Sequence, residues 1–224
     1  MFCISIIAKD TEEALEKMAK ADTRGSGDIF EIRLDLMADF DLSRIIGSSP
    51  KPVLVTYRTV QEGGKGRADP KTETDYLLTA IREGAPFVDV EYRLPSKWRR
   101  KILDARGTSR IIISMHQHDG TPEASELVKL LEDCSSTGAD IVKIVTTAKT
   151  WADNLRVLEL IPMAHDRGLK IIAFCMGPMG RVSRILSHLM GGYLTFVSLE
   201  RGQESAPGQI PMMEMENLLE YFSK

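Results

Sequence analysis

Short runs rich in apolar and β-branched residues alternate with helical patterns along the whole chain, and this alternation limits the possible folds more than any other feature. The predicted strands are 2–7, 28–34, 53–57, 87–91, 110–115, 140–146, 169–175 and 194–199. Helical spacing of apolar residues occurs between them, in the segments 11–21, 72–83, 121–134, 151–166, 181–190 and 212–222. Strands that alternate with helices pair in parallel through right-handed crossovers. The sequence therefore predicts an α/β protein with a parallel sheet.

Two architectures fit this alternation, a closed barrel and a doubly wound sheet. The number of strands favours the barrel, and no GxGxxG motif follows the first strand, which argues against a dinucleotide-binding sheet. No linker, charge block or low-complexity segment interrupts the chain, so residues 1–224 are predicted to form a single (β/α)8 TIM barrel domain. In such barrels the catalytic residues lie at the carboxyl ends of the strands and in the loops that follow.

Composition and charge exclude several classes of partner. The formal net charge is −3 and no basic stripe stands out, so no nucleic acid partner is expected. Cys3, Cys134 and Cys175 are scattered and odd in number, which predicts neither a disulfide framework nor a zinc site and fits a reducing compartment. No apolar run approaches the ~20 residues that span a membrane, and the apolar start predicts a first strand, not a signal peptide. The chain is therefore expected to be cytoplasmic.

Lys143 lies in the most apolar stretch of the sixth predicted strand. Lysine is rare in a buried strand unless it is paired or functional. One interpretation places the side chain outside the barrel, with its head in solvent between helices. The other places it inside, where desolvation and neighbouring cations keep part of the amine neutral, and only a neutral amine attacks a carbonyl.

His116 ends the fifth predicted strand. His116 and His118 could bind a metal in a hydrolase, with Asp89 and Glu91 as further ligands, although this spacing alone is a weak signal. A histidine at a strand end is also often structural. Because the fifth and sixth strands are neighbours in a barrel, His116 and Lys143 are predicted to face one cavity. An imidazole and an amine together supply a proton shuttle and a nucleophile without a metal.

Charged residues also occur on the second and third strands. Glu31, Arg33 and Asp35 share one face of the second strand by its period of two, which predicts an internal charge network that also binds a polar ligand. Arg58 follows the third strand. The glycine-rich segment 61–66 after it lacks the P-loop spacing, which favours a flexible loop over a phosphate cradle.

Three loop and helix features complete the candidate set. The helix over 121–134 is predicted to begin at Pro122, with Thr121 as its N-cap. Arg184, in the helix after the seventh strand, is predicted to pair with an anion near the barrel mouth. The segment 203–209 after the eighth strand is either an inert connector or a lid over a polar substrate.

In this order and on these elements, the motifs resemble the type I 3-dehydroquinate dehydratase family over nearly the whole chain. The matching motifs are Glu31-x-Arg33-x-Asp35, Arg58 followed by Glu62-Gly-Gly, Ser114-x-His116 with Thr121-Pro122, Ala139-Asp-Ile-x-Lys143-Ile, Met176-Gly through Ser183-Arg184, and Ser205-Ala-Pro-Gly-Gln-Ile. Each motif is weak alone, but their common order is specific. The family fold is the same barrel that the periodicity predicts.

The resemblance implies dehydration of 3-dehydroquinate to 3-dehydroshikimate, a step of the shikimate pathway to aromatic amino acids. It implies a Schiff base on Lys143, general acid–base catalysis by His116, and a less defined role for Glu62 beside them. The implied substrate-binding residues are Ser5, Glu31, Arg33, Arg58, Met176, Arg184, Ser205 and Gln209. The iminium is the electron sink, so the resemblance implies no metal and no cofactor, and it also implies a homodimer.

The chain departs from the family pattern in places. It starts almost directly at the first strand, so the N-terminal hairpin on the barrel floor of longer relatives is expected to be absent. Phe174 replaces a methionine of some relatives, and His118 occupies a variable position.

Three alternative functions stay open at this point. A class I aldolase-like barrel also uses an imine lysine on its sixth strand, but no clear phosphate site follows strands seven and eight. The second alternative is the metal-dependent hydrolase. A non-catalytic ligand-binding barrel is the third, and the presence of both Lys143 and His116 disfavours it.

Overall fold

One parallel sheet organises the computed structural model, which describes residues 1–23 and 27–222. Its barrel strands are β1 (Phe2–Ile6), β2 (Ile29–Arg33), β3 (Val53–Thr56), β4 (Phe87–Glu91), β5 (Arg110–His116), β6 (Ile141–Thr147), β7 (Ile171–Met176) and β8 (Thr195–Ser198). Each of them matches a predicted strand to within two residues at either end. A short ninth strand, β9 (Ile210–Pro211), pairs with β8 and was not predicted.

The strand order is β7-β6-β5-β4-β3-β2-β1-β8-β9, and all of these neighbours are parallel. In the described part of the chain, β7 and β8 share no ladder. The Tyr193 N–H donates to the Ile171 carbonyl at 2.7 Å across this seam, and the rings of Phe174 and Phe196 pack there with centroids 6.3 Å apart. The predicted (β/α)8 barrel is confirmed, with a seam between its seventh and eighth strands.

The helices pack against the outside of the sheet. They are α1 (Thr11–Thr23), α2 (Leu42–Gly47), α3 (Pro70–Arg82), α4 (Ser96–Asp104), α5 (Ala124–Ser135), α6 (Trp151–Leu158), α7 (Leu160–Asp166), α8 (Arg181–Leu189) and α9 (Met212–Phe222). The sequence pattern does not predict α2, which has only six residues, or α4, in which only Ile102 is fully buried. None of the described helices is long and apolar enough to cross a membrane.

Two predicted helix boundaries are wrong. The helix over 151–166 is divided at Glu159 into α6 and α7. Pro162 has no N–H to donate to the carbonyl four residues earlier, and its ring crowds that carbonyl, so the first helix ends there.

The second wrong boundary is the start of α5, which begins at Ala124 with Glu123, not Thr121, as its N-cap. The Thr121 hydroxyl lies 2.7 Å from the hydroxyl of Thr146 and also bonds to the carbonyl of Thr147 at 3.1 Å. Thr121 therefore fastens the loop to the end of β6 and is not available to cap the helix.

The barrel interior changes from apolar to polar along the strands. On β2 the inward residues run from Ile29 to Glu31 and Arg33, and on β6 Ile141 is followed by Lys143. Parallel pairing sets Glu31 beside Ser5 of β1 in register, so the polar residues of neighbouring strands meet at one level. This level lies at the carboxyl ends of the strands, where barrel enzymes carry their chemistry.

The opposite end of the barrel is closed by its own side chains. The Arg110 guanidinium lies 5.6 Å from the centre of the Phe87 ring and donates to the Tyr193 hydroxyl at 2.7 Å. Lys170 covers the same tyrosine ring, with Nζ 5.4 Å from its centre. These cation–aromatic contacts cover the buried apolar side chains inside this end of the barrel, such as Leu54 and Ile112.

Candidate active site

A cavity opens at the carboxyl ends of the barrel strands, with about 390 Å³ of empty volume including its mouth. Most of the predicted site residues line it: Glu31, Arg33, Arg58, His116, Lys143, Met176, Arg184, Ser205 and Gln209. The apolar part of the wall includes Phe174 and Phe196. The other two predicted residues, Ser5 and Glu62, are buried behind the wall, where Ser5 bonds to Glu31 and Glu62 to His116.

Lys143 points into the barrel and is only 4% exposed. Its Nζ donates to Asp89 Oδ2 at 3.0 Å and lies 4.0 Å from the centre of the Phe196 ring. The inward interpretation of this lysine is therefore correct. The charged group in contact with Nζ, however, is the carboxylate of Asp89, whereas neighbouring cations were expected from the sequence.

Asp89 connects Lys143 to the arginine of the third strand. Its Oδ1 accepts from Arg58 Nη2 at 2.7 Å and from Ser114 Oγ at 2.6 Å. Burial raises the pKa of Asp89, but the positive charges of Arg58 and Lys143 outweigh burial and lower it to about 2. The carboxylate is therefore ionised at neutral pH and fixes the position of the amine.

His116 is oriented by Glu62. The His116 Nδ1 lies 2.9 Å from Glu62 Oε2, and the backbone N–H of the same histidine donates to that oxygen at 2.9 Å. Burial, followed by the charges of Arg58 and Lys143, holds the pKa of His116 well below its usual range. The imidazole is thus neutral, and an Nδ1–H donated to Glu62 leaves Nε2 free to accept a proton.

Glu62 itself is held by the loop over 61–66, which was predicted as a flexible loop and closes on itself through backbone hydrogen bonds. The backbone N–H groups of Gly64 and Gly66 donate to the carbonyls of Thr59 and Arg58 at 2.8 and 2.9 Å. A Cβ at Gly64 would lie 2.1 Å from the Arg58 carbonyl oxygen, so only glycine allows this close approach. The loop can therefore hold a buried carboxylate under His116.

The charge network predicted on β2 is confirmed only for the pair of Arg33 and Asp35. Glu31 accepts from the hydroxyls of Ser5 and Thr56 at 2.7 and 3.0 Å. Arg33 donates to both oxygens of Asp35 at 2.8 Å. Asp35 does not share the strand face, because β2 ends at Arg33 and Asp35 belongs to a short 3-10 turn. Glu31 and Arg33 line the cavity, and Asp35 does not.

Arg184 lies in the cavity without an acidic partner among the described residues. It is 1% exposed, and its guanidinium stacks 4.4 Å above the Phe174 ring. Its Nη2 reaches only the Pro207 carbonyl at 3.5 Å, and its Nε has no hydrogen-bond partner. Burial lowers the pKa of Arg184 to about 10, so the group is still charged at neutral pH. A buried guanidinium in this state is suited to binding an anion.

The segment 203–209 lies over the cavity and is fastened to its wall. Gln209 Oε1 accepts from the backbone N–H and the hydroxyl of Ser205 at 2.6 and 3.1 Å. Gln209 Nε2 donates to Ser5 Oγ at 3.2 Å. The Pro207 carbonyl accepts from the Gly177 N–H at 3.0 Å, across the seam. Both Ser205 and Gln209 thus face the cavity from a held loop.

Sequence reasoning missed the main role of Asp89 and Glu91, which it considered only as possible metal ligands. Glu91 accepts from Arg58 Nη1 at 3.3 Å and from the Thr59 N–H at 2.7 Å. The signal was available, because Asp89 and Glu91 alternate along β4 in the same way as the charged pair on β2. The described residues contain no group of three or more histidine, cysteine, aspartate or glutamate side chains that could hold a metal ion.

Comparisons with known proteins identify the family of the chain. A family model described as type I 3-dehydroquinase matches residues 2–224. The 3-dehydroquinate dehydratase of Pyrococcus abyssi is 34% identical over 219 residues, which cover 98% of this chain and 97% of the relative. The bifunctional 3-dehydroquinate dehydratase/shikimate dehydrogenase of Arabidopsis thaliana is 36% identical over 226 residues, but this chain spans only 37% of its length.

Solved structures that resemble this chain are also 3-dehydroquinate dehydratases. The type I 3-dehydroquinate dehydratase of Clostridium difficile, with covalently modified comenic acid, has a TM-score of 0.87 at 27% identity and covers 99% of this chain and 91% of its own. The 3-dehydroquinate dehydratase of Geobacillus kaustophilus has a TM-score of 0.88 at 25% identity, covering 99% and 90%. The chain therefore belongs to the type I 3-dehydroquinase family and is an enzyme of the hydro-lyase class.

Proposed function

We propose that this enzyme dehydrates 3-dehydroquinate to 3-dehydroshikimate, with Lys143 as the imine-forming nucleophile and His116 as the general acid and base. One observation carries the proposal: the buried amine of Lys143 and the buried imidazole of His116 line the same cavity. The printed names of the relatives supply the substrate. The side chains of this chain supply the chemistry.

The first half of the reaction forms the imine. Lys143, which faces Asp89 as the ammonium, gives a proton to His116, and the resulting neutral amine adds to the substrate ketone. His116 returns that proton to the ketone oxygen, which leaves as water, and a protonated Schiff base results. His116 can move the protons of these steps because its imidazole is neutral and its Nδ1 is fixed by Glu62. Asp89 keeps the lysine nitrogen in place, 3.0 Å away, during the change in bonding.

The second half eliminates water from the substrate. His116 takes a proton from C2, and the electron pair moves into the iminium, which is the electron sink. His116 then returns this proton to the departing hydroxyl group, which leaves as water. A second water hydrolyses the imine, so that product leaves and the amine of Lys143 is restored. The site needs no other nucleophile for this sequence.

The remaining cavity residues are assigned to binding. Arg184 takes the substrate carboxylate, because it is a buried cation with an unused Nε. The polar side chains of the cavity wall bind the hydroxyl groups of the substrate ring, and Met176 packs against that ring. Gln209 helps Arg184 to hold the carboxylate and its neighbouring groups. The hydroxyl-binding residues of this proposal are Glu31, Arg33, Arg58 and Ser205, together with Ser5, which lies behind the wall and donates to Glu31. The homodimer implied by the family is carried over as part of the proposal, and sedimentation velocity tests it.

Reduction with borohydride in the presence of 3-dehydroquinate tests the imine. We expect inactivation and a stable added mass on the peptide that contains Lys143. Lys143→Ala should form no adduct and lose turnover, because no other amine attacks the ketone. Lys149→Ala is the matched control, since this exposed lysine follows the same strand, and it should behave as the wild type.

Two outcomes would contradict the proposal. Labelling at a different residue, or turnover retained in Lys143→Ala, would remove the imine mechanism. Turnover of sugar phosphates, with none of 3-dehydroquinate, would favour the aldolase-like alternative.

A further inference from the structure

The two carboxylate oxygens of Glu62 have different surroundings. Oε2 accepts from the His116 N–H at 2.9 Å, and it lies 2.9 Å from Nδ1 of that histidine and 3.6 Å from Arg58 Nη1. Oε1 is buried and accepts no hydrogen bond in the described residues. Its ion-pair partner is Arg93, whose Nε is 3.3 Å away. Arg93 thus contacts the oxygen that His116 does not use.

Arg93 reaches Glu62 from outside the substrate cavity. It follows the end of β4, its side chain is 40% exposed, and it is not part of the substrate-cavity wall. It lines a second surface cavity of about 1000 Å³, including open solvent, together with Gln61, Glu73 and Pro95. A change at Arg93 can therefore alter Glu62 without altering the surface that holds the substrate.

The charge on Glu62 is the outcome of opposing neighbours. Burial raises its pKa to about 7, so nearby charges decide how far the carboxyl is ionised at neutral pH. Arg58 and Arg93 act in the opposite direction, and Glu91 acts with burial. Arg58 is shared, because it also pairs with Asp89 and Glu91. Arg93 has an ion pair with Glu62 alone among the described residues.

Two other titratable groups face this carboxyl. His116 of β5 lies against Oε2. Glu73, on α3, lines the second cavity, and its charge interacts with that of Glu62. Both groups are unchanged in an Arg93 variant. Substitution of Arg93 therefore measures the effect of this one cation on Glu62.

We propose that Arg93 is a positioning residue that keeps Glu62 ionised from the solvent side and thereby keeps the imidazole of His116 oriented for proton transfer. This inference rests on the proposed function. An ionised Glu62 accepts the Nδ1–H of His116 and leaves Nε2 facing the substrate. A protonated Glu62 can instead donate its proton to Nδ1 of His116. The imidazole then adopts the other tautomer, in which Nε2 carries the proton and cannot accept one.

The test is the pH dependence of kcat/KM for 3-dehydroquinate. Loss of the Arg93 charge makes ionisation of Glu62 harder, so the acidic limb in Arg93→Gln should move to higher pH by about 0.5 pH unit or more. Arg93→Lys should restore most of the shift because it restores the charge. At high pH, where Glu62 is ionised in both forms, KM should stay unchanged.

Arg100→Gln is the matched control, because it removes an equal charge from α4, where the side chain is 79% exposed and pairs with Asp104. Its acidic limb should coincide with that of the wild type. A second readout does not need catalysis: the Glu62 carboxyl is titrated by ¹³C NMR in the substrate-free protein and assigned with Glu62→Gln. Its midpoint should move upward in Arg93→Gln.

Coincident acidic limbs in wild type and Arg93→Gln, an equal shift in Arg100→Gln, or an unmoved Glu62 titration would each overturn the inference. Failure of the proposed function looks different. In that case the wild type does not turn over 3-dehydroquinate, and the NMR titration alone decides the role of Arg93.

Discussion

The two sides of the substrate cavity differ in whether their buried cations are paired with a carboxylate. On the β3–β6 side, Arg58 and Lys143 share Asp89, with contacts of 2.7 and 3.0 Å. On the β7–β8 side, Arg184 contacts the face of Phe174 and one distant carbonyl, and its Nε bonds to nothing in the described residues. One side is an internally paired network, and the other contains an unpaired charge.

This difference separates two kinds of buried charge. A paired network fixes the geometry of its members before any ligand arrives, as a nucleophile and its proton shuttle require. An unpaired buried cation is costly in the free protein, and an anionic ligand offsets that cost. In the proposed mechanism the paired side carries out the chemistry, and Arg184 binds the substrate carboxylate. Each prediction below tests one side of this division.

The largest effect is expected from His116→Ala on the paired side. Loss of the general acid and base should lower kcat by about 10²–10⁴-fold, and by more where one residue serves several steps. The fold should persist, and borohydride should still trap substrate on Lys143, but slowly. Mass spectrometry should show an adduct that retains the hydroxyl group. An adduct already lighter by one water, formed at the normal rate, would assign the elimination to a different residue.

Arg58→Met tests whether the paired side depends on its pairing for stability. It leaves Asp89 and Glu91 buried without their shared cation, so the free energy of unfolding should fall by about 3–5 kcal/mol. Urea denaturation followed by circular dichroism measures the change. Arg100→Met removes an exposed arginine as a control and should change the unfolding free energy by less than about 0.5 kcal/mol. Equal effects of both variants would mean that the network contributes nothing beyond surface charge.

Glu73 shows that the paired side carries more carboxyl groups than cations. Burial and then Glu91 raise its pKa to about 8, and Arg58 opposes them. The folded protein keeps this proton above pH 4.5, where the unfolded chain has lost it, so the contribution of Glu73 to stability is complete at low pH and is lost as pH rises toward 8. The loss by pH 9 should be on the order of 5 kcal/mol, from a shift of the pKa from 4.5 to about 8. Urea titrations at several pH values should show that the unfolding free energy of Glu73→Gln depends less on pH than that of the wild type. The dependence that remains should come from Glu62, whose pKa is also raised.

Arg184→Met tests the unpaired side with the substitution used at Arg58. The affinity for the anionic substrate should fall by about 10- to 150-fold, because a charge-assisted bond worth roughly 1.5–3 kcal/mol is lost. The free energy of unfolding should stay equal or rise, because an uncompensated buried charge is removed. Isothermal titration calorimetry with Lys143→Ala as background measures binding without turnover.

Arg184→Lys provides the control for charge alone. It should restore only part of the affinity, because lysine lacks the planar fork of the guanidinium. Normal substrate binding by Arg184→Met would place the anion site elsewhere, and a loss of stability comparable to Arg58→Met would remove the contrast between the two sides.

The sequence alone determined the architecture and the centre of the site. The alternation of strands and helices predicted the (β/α)8 barrel, and all eight barrel strands lie where the periodicity placed them. The apolar context of Lys143 and the strand-end position of His116 predicted two inward residues on neighbouring strands, and both line the cavity. Periodicity and strand order are local properties, so a single sequence contains them.

Only the tertiary structure decided which charges meet. The apolar context of Lys143 suggested neighbouring cations, yet Asp89 from two strands away is its partner. Nothing local showed that Arg184 would have no acidic partner among the described residues. The closed glycine loop that fixes Glu62 under His116 was likewise predicted to be flexible. Closure of the barrel brings together side chains that are 54 residues apart in sequence, as with Lys143 and Asp89. Burial at that level then sets their pKa values, because desolvation depends on every element packed around a group and not on its neighbours in sequence.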